Sequence, residues 1–423
     1  MDRRQFVQSG IAASIITGVS PLALAKSNKA QVVIVGGGYA GATAAKYIRL
    51  LSNYKVNVTL IEPNSNFVSC PMSNLVVGGI KKISDISNPY TSLQKRHGVK
   101  LIKSSVTAVD AEKKSVTLAD GKTLQYDKLV MSPGIDLMFD SIEGLKAANE
   151  AGVTIQAWKA GPETVALYKQ LEAMQDGGVY AISIPKAPYR CPPGPYERAS
   201  LVANYFKQFK PKSKVLILDA NDNIVSKAKL FSEAWKANYG EMVEYRPKHQ
   251  VIGVDAASRT LKFEFENPVQ ADVLNVLPDM RGGRLAVDSG IANLNKRWAD
   301  VNYVTFESKV AKDVHVIGDT VQGAPQMPKS AHMANSQAKV VAAAIVSEVN
   351  GWAPNATPIT NNTCYSYVNS EQVIHVASVH LYNAEKGTYL PVDGSGGVSK
   401  EPKQLEGLYA WSWAQNVWAD TLA

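Results

Sequence analysis

The chain has 423 residues, more than one compact core accommodates, so two or three domains are expected. Hydrophobic residues make up 45% and charged residues 19%, a globular balance that excludes a disordered chain, a collagen and a coiled-coil rod. The formal charge is +8, but the lysines are scattered and form no arginine-rich stripe, so nucleic acid is set aside in favour of an acidic protein partner or mere solubility.

The first residues stand apart. Arg3-Arg4 precedes a weakly apolar run, Gly10 to Ala25, that ends Ala23-Leu24-Ala25. Residues 1–25 read as a twin-arginine signal peptide, which exports proteins already folded around a cofactor and places this one in the periplasm. No later apolar run is long enough to span a bilayer, so no transmembrane segment is expected. The cysteines are Cys70, Cys191 and Cys364. Two could pair in an oxidising compartment, and the odd one needs its own explanation. They are too few and too dispersed for a zinc site, and His375 and His380 have opposite strand parity, so no metal is expected. Without Cys-x-x-Cys-His the chain attaches no haem itself.

Gln31 to Val35 is a β-branched run followed at once by Gly36-Gly37-Gly38-Tyr39-Ala40-Gly41, a helical stretch to Leu51, and a second strand, Val56 to Ile61, ending in Glu62. This is Gly-x-Gly-x-x-Gly in a βαβ unit. Gly36 permits the turn, Gly38 lets backbone approach a pyrophosphate, and Gly41 lets helix and strand pack. Tyr39 and Ala40 complete the turn, the helix expected from Ala42 to Leu51 supplies free N–H groups to the phosphates, and Glu62 stands where a carboxylate accepts from a ribose. Further on, Tyr126 to Gly134 and Val314 to Asp319 are strands that each run into a turn. They resemble later signatures of the glutathione-reductase-like flavoproteins, a likeness that implies FAD, with Gly134 and Asp319 beside it. A helix near Lys329 to Val340 would aim its N-terminus at the flavin.

Val179 to Pro185 and Lys214 to Asp219 are strands of a second such unit, with a helix from about Glu197 to Phe209 between them. Where a glycine turn belongs, the chain reads Lys186-Ala187-Pro188-Tyr189-Arg190-Cys191-Pro192-Pro193-Gly194-Pro195. Prolines lack the N–H that a pyrophosphate needs, so the NAD site is expected to be lost. Cys191 precedes a helix whose dipole would lower its thiol pKa. Glu197 is either a proton carrier at that thiol or a solvent-facing helix carboxylate. Beyond Trp352 the alternation through Leu381 and the aromatic end, with Trp411, Trp413 and Trp418, read as an α+β cap. The tryptophans are read as packing first and electron route second. The expected fold class is α/β, with two Rossmann-like dinucleotide-binding domains, the second without a functional NAD turn, and a C-terminal α+β interface domain. The boundaries are 30–150 with 280–350 for a discontinuous FAD domain, 151–279 for the second, and 351–423 for the last.

Five segments together resemble the flavoprotein subunits of flavocytochrome c sulfide dehydrogenases. They are the twin-arginine leader, Val35 to Gly41, Ser69-Cys70-Pro71, Cys191 to Arg198, and Asn362-Thr363-Cys364. The resemblance implies FAD carried on Cys70 through an 8α-S-cysteinyl thioether and a redox-active Cys191–Cys364 disulfide against the flavin. It further implies oxidation of sulfide to sulfane sulfur and a heterodimer with a c-type cytochrome subunit that takes the electrons. Two alternatives stand beside it. One is a sulfide:quinone oxidoreductase, which the lack of a basic amphipathic C-terminal helix disfavours. The other is an exported flavin-binding assembly subunit whose disulfide is only a staple.

Overall fold

The computed structural model describes residues 29–423; the leader 1–25 lies outside the described residues. The chain begins with β1 (Gln31–Val35), α1 (Tyr39–Leu51) and β2 (Asn57–Ile61). A short helix, α2 (Ser73–Val77), precedes β3 (Lys100–Ile102) and β4 (Lys128–Met131). β1 is the inner strand, parallel to β2 and β4, and four of its five residues are buried. This is the burial that a continuous apolar β-branched run signals. Register matters more than strand count here. Val35 is level with Ile61 on one side and with Met131 on the other, so the turns after β1, β2 and β4 emerge along one edge.

The second unit is a four-stranded parallel sheet of β5 (Val179–Ile184), β6 (Lys214–Asp219), β7 (Val243–Arg246) and β8 (Val273–Val276), in the order β7-β6-β5-β8. The helix α3 (Gly194–Phe209) joins β5 to β6, and α4 (Ala228–Asn238) joins β6 to β7. α3 starts three residues before the expected Glu197, because Pro195 suits the first turn of a helix, where its missing N–H costs nothing.

The chain then returns to the first sheet with β9 (Val301–Asn302), β10 (Glu307–Ser308) and β11 (Val314–Val316), giving seven strands ordered β9-β10-β11-β4-β1-β2-β3. Val316 is level with Met131, which adds the turn Ile317 to Asp319 to the same edge. The helix α5 (Ala331–Val349) follows and packs on α1. The last unit is the antiparallel hairpin β12 (Ile359–Tyr367) and β13 (Val373–Asn383), extended by β14 (Thr388–Pro391) and closed by α6 (Gln404–Leu422). α6 returns to the first unit. Lys46 donates to the carbonyls of Ala419 and Asp420 at 3.0 Å, and the indole of Trp418 donates to the Tyr39 hydroxyl at 3.0 Å. Among the described residues no helix is long and apolar enough to cross a membrane.

Candidate flavin and thiol site

Two adjoining clefts lie along the edge where the parallel strands of the first sheet end, which is where open α/β sheets bind ligands. They share Gly38, Phe67, Val68, Cys70, Gly134 and Arg190. The inner one is further lined by Tyr39, Cys191 and Asp319, the outer one by Glu62 and Lys159.

The glycines have distinct jobs. Gly36 has φ +94°, and a Cβ there would meet the Ser132 carbonyl oxygen at 2.4 Å. A Cβ on Gly41 would fall 1.9 Å from the Gly36 carbonyl oxygen, so Gly41 sits where helix and turn touch. Gly38 is different: a Cβ would meet nothing within 4 Å, because the residue faces the clefts. No side chain caps the N-terminus of α1, whose first N–H groups lack helical partners, and Tyr39 and Ala40 line the inner cleft. A bare, uncapped helix start beside a glycine with no side chain is a fit for a pyrophosphate.

Glu62 is buried in the outer cleft, where its Oε2 accepts from the Gly37 N–H at 2.7 Å and its Oε1 from the N–H and side-chain amide of Asn64 at 2.9 and 2.7 Å. A carboxylate offers about four acceptor sites, so capacity for a ribose hydroxyl remains. Gly134 has φ +70° and lines both clefts; its carbonyl accepts from the Thr320 hydroxyl at 2.7 Å. Asp319 lines the inner cleft, where burial pushes its carboxyl up against the pull of Arg190, 3.9 Å away, and of Lys329. Ser330 caps α5 by accepting from the Met333 N–H, and Ser330 and Ala331 also face the inner cleft. These residues fit FAD spread along the edge.

Cys70 lies between the strand Asn66–Val68 and α2, lining both clefts, with its carbonyl accepting from the N–H and hydroxyl of Ser73 at 3.1 and 2.7 Å. Cys191 lines the inner cleft in a left-handed conformation, φ +58°. Its N–H donates to the Lys329 carbonyl and its own carbonyl accepts from the Gly194 N–H, both at 2.8 Å, which pins the turn before α3 to the segment before α5. Cys364 comes from β12 and donates from Sγ to Asn362 Oδ1 at 3.3 Å. Cys191 and Cys364 are close enough for the charge of one to raise the other's pKa. All three cysteines are free thiols in this structure, so the expected Cys191–Cys364 disulfide is not formed here. The expectation of a lowered Cys191 pKa is also corrected. Burial pushes the thiol up, and the helix dipole does not prevail, because Cys191 stands outside α3 with two prolines in between.

Glu197 is 5% exposed, which removes the solvent-facing alternative. One oxygen accepts from the Tyr367 N–H and the other from the Asn74 amide, both at 2.9 Å, tying α3 to β12 and α2. Burial raises its pKa to about 7. Three residues that motif reading missed complete the site. Arg198, 1% exposed, lines the inner cleft and donates to Asn74, Asn275 and the carbonyls of Gln156 and Ala157. Trp158 stacks under its guanidinium at 4.8 Å. Lys227, at the start of α4, reaches the Cys364 carbonyl at 3.2 Å. Arg198 stands in the Cys191 to Arg198 segment, but its burial leaves no trace in composition. Trp158 and Lys227 carry no sequence signal.

In the equivalent turn of the second unit, three N–H groups are taken up within the chain. The Ala187 N–H donates to Asn221 Oδ1 at 3.0 Å, Cys191 and Gly194 are paired as above, and prolines supply none. Asp219, at the end of β6, is fully buried; Tyr196 and Tyr245 donate to one oxygen at 2.7 and 3.0 Å, and Asn221 donates twice to the other.

Comparison with known proteins matches three family models. Residues 30–160 match "Pyridine nucleotide-disulphide oxidoreductase", 164–278 match "Sulfide dehydrogenase [flavocytochrome c] flavoprotein chain, central", and 356–422 match "Flavocytochrome c sulphide dehydrogenase, flavin-binding". A sulfide dehydrogenase [flavocytochrome c] flavoprotein chain from Chlorobaculum thiosulfatiphilum is 54% identical over 46 residues, 11% of this chain and 94% of the relative. The chain belongs to the flavocytochrome c sulfide dehydrogenase flavoprotein family. A mitochondrial sulfide:quinone oxidoreductase from Dictyostelium discoideum is 26% identical over 87% of this chain and 81% of its own length. The crystal structure of the sulfide:quinone oxidoreductase of Aquifex aeolicus superposes with a TM-score of 0.75 at 18% identity, covering 93% of this chain and 91% of that one, so the two share a fold.

Proposed function

We propose that this chain oxidises hydrosulfide at the Cys191 and Cys364 sulfurs, with FAD in the adjoining clefts, and hands the electrons to a small c-type cytochrome. The observation that carries the reading is the shared inner cleft. Cys191 faces the same space as Cys70 and the bare start of α1, while the buried Glu197 links its helix to the strand of Cys364. In the oxidised form the two sulfurs are bonded. Hydrosulfide attacks one of them, a bond forms to the substrate sulfur, the cysteine–cysteine bond breaks, and the other cysteine leaves as thiolate. A second hydrosulfide lifts the sulfane sulfur away as hydrodisulfide and frees the second thiolate. Two hydrosulfides thereby lose two electrons and one proton, and Glu197, poised near pH 7, takes the proton. FAD would supply the two-electron acceptor that lets the cysteines re-form their bond, and would release the electrons singly. Gly38, Tyr39, Ala40, Glu62, Gly134 and Asp319 would hold it, and Cys70 would bind it covalently.

A second reading has its own support: the relatives matched over most of the chain are sulfide:quinone oxidoreductases. In it a quinone takes the electrons. α6 leaves Leu408 70% exposed, but it carries no lysine or arginine for an anionic membrane. Anaerobic stopped-flow mixing with sulfide, followed by a c-type cytochrome or a short-chain quinone, tests both. Rapid cytochrome reduction is expected, and failure of sulfide to bleach the flavin would end both readings. Acid precipitation should leave the yellow colour on a peptide containing Cys70; flavin in the supernatant would refute the covalent link. Periplasmic location, lost on Arg3→Lys with Arg4→Lys, is expected from the leader.

A further inference from the structure

Lys227 comes to the thiol site from the loop after β6, a part of the second unit with no assigned duty. It precedes α4 in a left-handed conformation, φ +57°, which a lysine keeps only where its surroundings hold it there. Two bonds do so. Its ammonium donates to the Cys364 carbonyl at 3.2 Å and to the hydroxyl of the fully buried Ser366 at 2.8 Å, both on β12. The groups that face this ammonium are Cys364 on β12, Glu197 on α3, Cys191 in the turn before α3, and Glu406 on α6. Those facing the Cys364 sulfur are Lys227, Glu197, Asn362 and Ser330. Cys191 has a different setting. It lines the cleft with its sulfur beside Gly194, and the charged groups that bear on it are Glu197, Arg190 and, behind Arg190, Lys227.

We propose that Lys227 is a positioning residue that holds the Cys364 sulfur as thiolate when the Cys191–Cys364 bond opens, so that hydrosulfide attacks Cys191 and Cys364 leaves. The inference rests on the disulfide chemistry proposed above and adds its direction. In exchange, the better leaving sulfur is the one whose thiolate is better stabilised. A fixed ammonium on the backbone of Cys364 favours that end of the bond: Lys227 is the foremost group lowering the Cys364 thiol, whereas at Cys191 it ranks behind Arg190. The attacked sulfur is the one the cleft exposes. Bond making and breaking balance: the S–S bond to substrate forms on Cys191, and the electron pair of the broken bond goes to Cys364. Burial lowers the Lys227 pKa to about 8, so the ammonium form predominates at neutral pH and is lost in moderately alkaline solution.

The test reads the thiols of the full-length, flavin-loaded protein after reduction with a phosphine. Iodoacetamide alkylation is followed peptide by peptide against pH. Cys364 should alkylate with a lower midpoint than Cys191. Lys227→Met should raise the Cys364 midpoint by about one unit, roughly tenfold in rate at fixed pH, and Lys227→Arg should restore it. Sulfide added to the oxidised protein should leave its persulfide mass on the Cys191 peptide. An unchanged Cys364 midpoint in Lys227→Met, or persulfide on Cys364, would overturn the proposal. Should Lys227→Met not fold, Ser366→Ala, which loosens the ammonium but keeps it, must raise the same midpoint by a smaller amount, and no rise would overturn it equally. Alkylation does not require turnover. Wild-type flavin that sulfide fails to reduce would therefore refute the proposed function while the Lys227 shift is read separately.

Discussion

The two parallel-sheet units of this chain share a β-α-β start and differ in what their first turn does with its backbone. In the first, Gly38 leaves the helix start bare and Glu62 faces a cleft beside it. In the second, the N–H groups of Ala187, Cys191 and Gly194 are spent inside the protein, and the carboxylate of Asp219 is filled by two tyrosines and an asparagine. A turn that binds an external phosphate must keep its donors unsatisfied until the ligand arrives. One that satisfies them internally becomes rigid, and here the rigid turn carries Cys191 to the edge of the first unit's cleft. The second sheet keeps the same architecture, and in exchange for a bare helix start its turn presents a thiol.

The largest expected effect strikes that exchange directly. Cys191→Ser and Cys364→Ser should each cut sulfide-driven flavin reduction by roughly a thousandfold or more while flavin content persists, since each thiol is needed for a step the other cannot perform. Near-normal reduction in either variant would make the pair a structural contact. NADH, at concentrations that saturate ordinary reductases, should bleach the flavin no faster than a buffer control. Saturable bleaching would show that the second turn still binds a dinucleotide.

Within the first unit, Gly41→Ala and Gly38→Ala should separate cleanly. The first drives a methyl group into the Gly36 carbonyl and should cost about 1–3 kcal/mol or more in unfolding free energy. The second has room for its methyl group and should unfold like the parent apoprotein yet hold FAD less well. Equal stability losses would sink the division of labour between these glycines.

Smaller still is the pH effect. Glu197 has its pKa raised by burial to about 7, so it is protonated below that value and becomes a base as pH rises through it. Flavin reduction by sulfide should therefore rise with pH through an added step near 7 beyond the ionisation of the substrate. Glu197→Gln should remove that step and leave the substrate's own, and a profile unchanged in shape would deny Glu197 a proton role.

Much of the first unit was legible because its signals are local. A β-branched run, three spaced glycines and a terminal acid sit within about thirty residues, and each follows from backbone freedom or helix-end polarity. The prolines after β5 were equally readable, since a missing N–H needs no neighbour to be missing. What was read wrongly depended on surroundings. The Cys191 thiol was expected to be acidified by a helix dipole, but desolvation raises it. The solvent-facing alternative for Glu197 had weight only while Asn74 and Tyr367, far away in the chain, were not known to bracket it.

By itself the sequence determined the strands, the glycine turn and the proline-rich turn that takes its place in the second unit, because all of these are properties of residue type and short spacing. Only the tertiary structure decided which groups meet. The register that aligns Val35, Ile61, Met131 and Val316 puts four turns on one edge. The return of α6 to Tyr39, the burial of Arg198 over Trp158, and the reach of Lys227 to Cys364 each join residues separated by tens to hundreds of positions. The physical reason is that charge state and hydrogen bonding depend on distance and desolvation, and those are set by packing between elements rather than by any one segment.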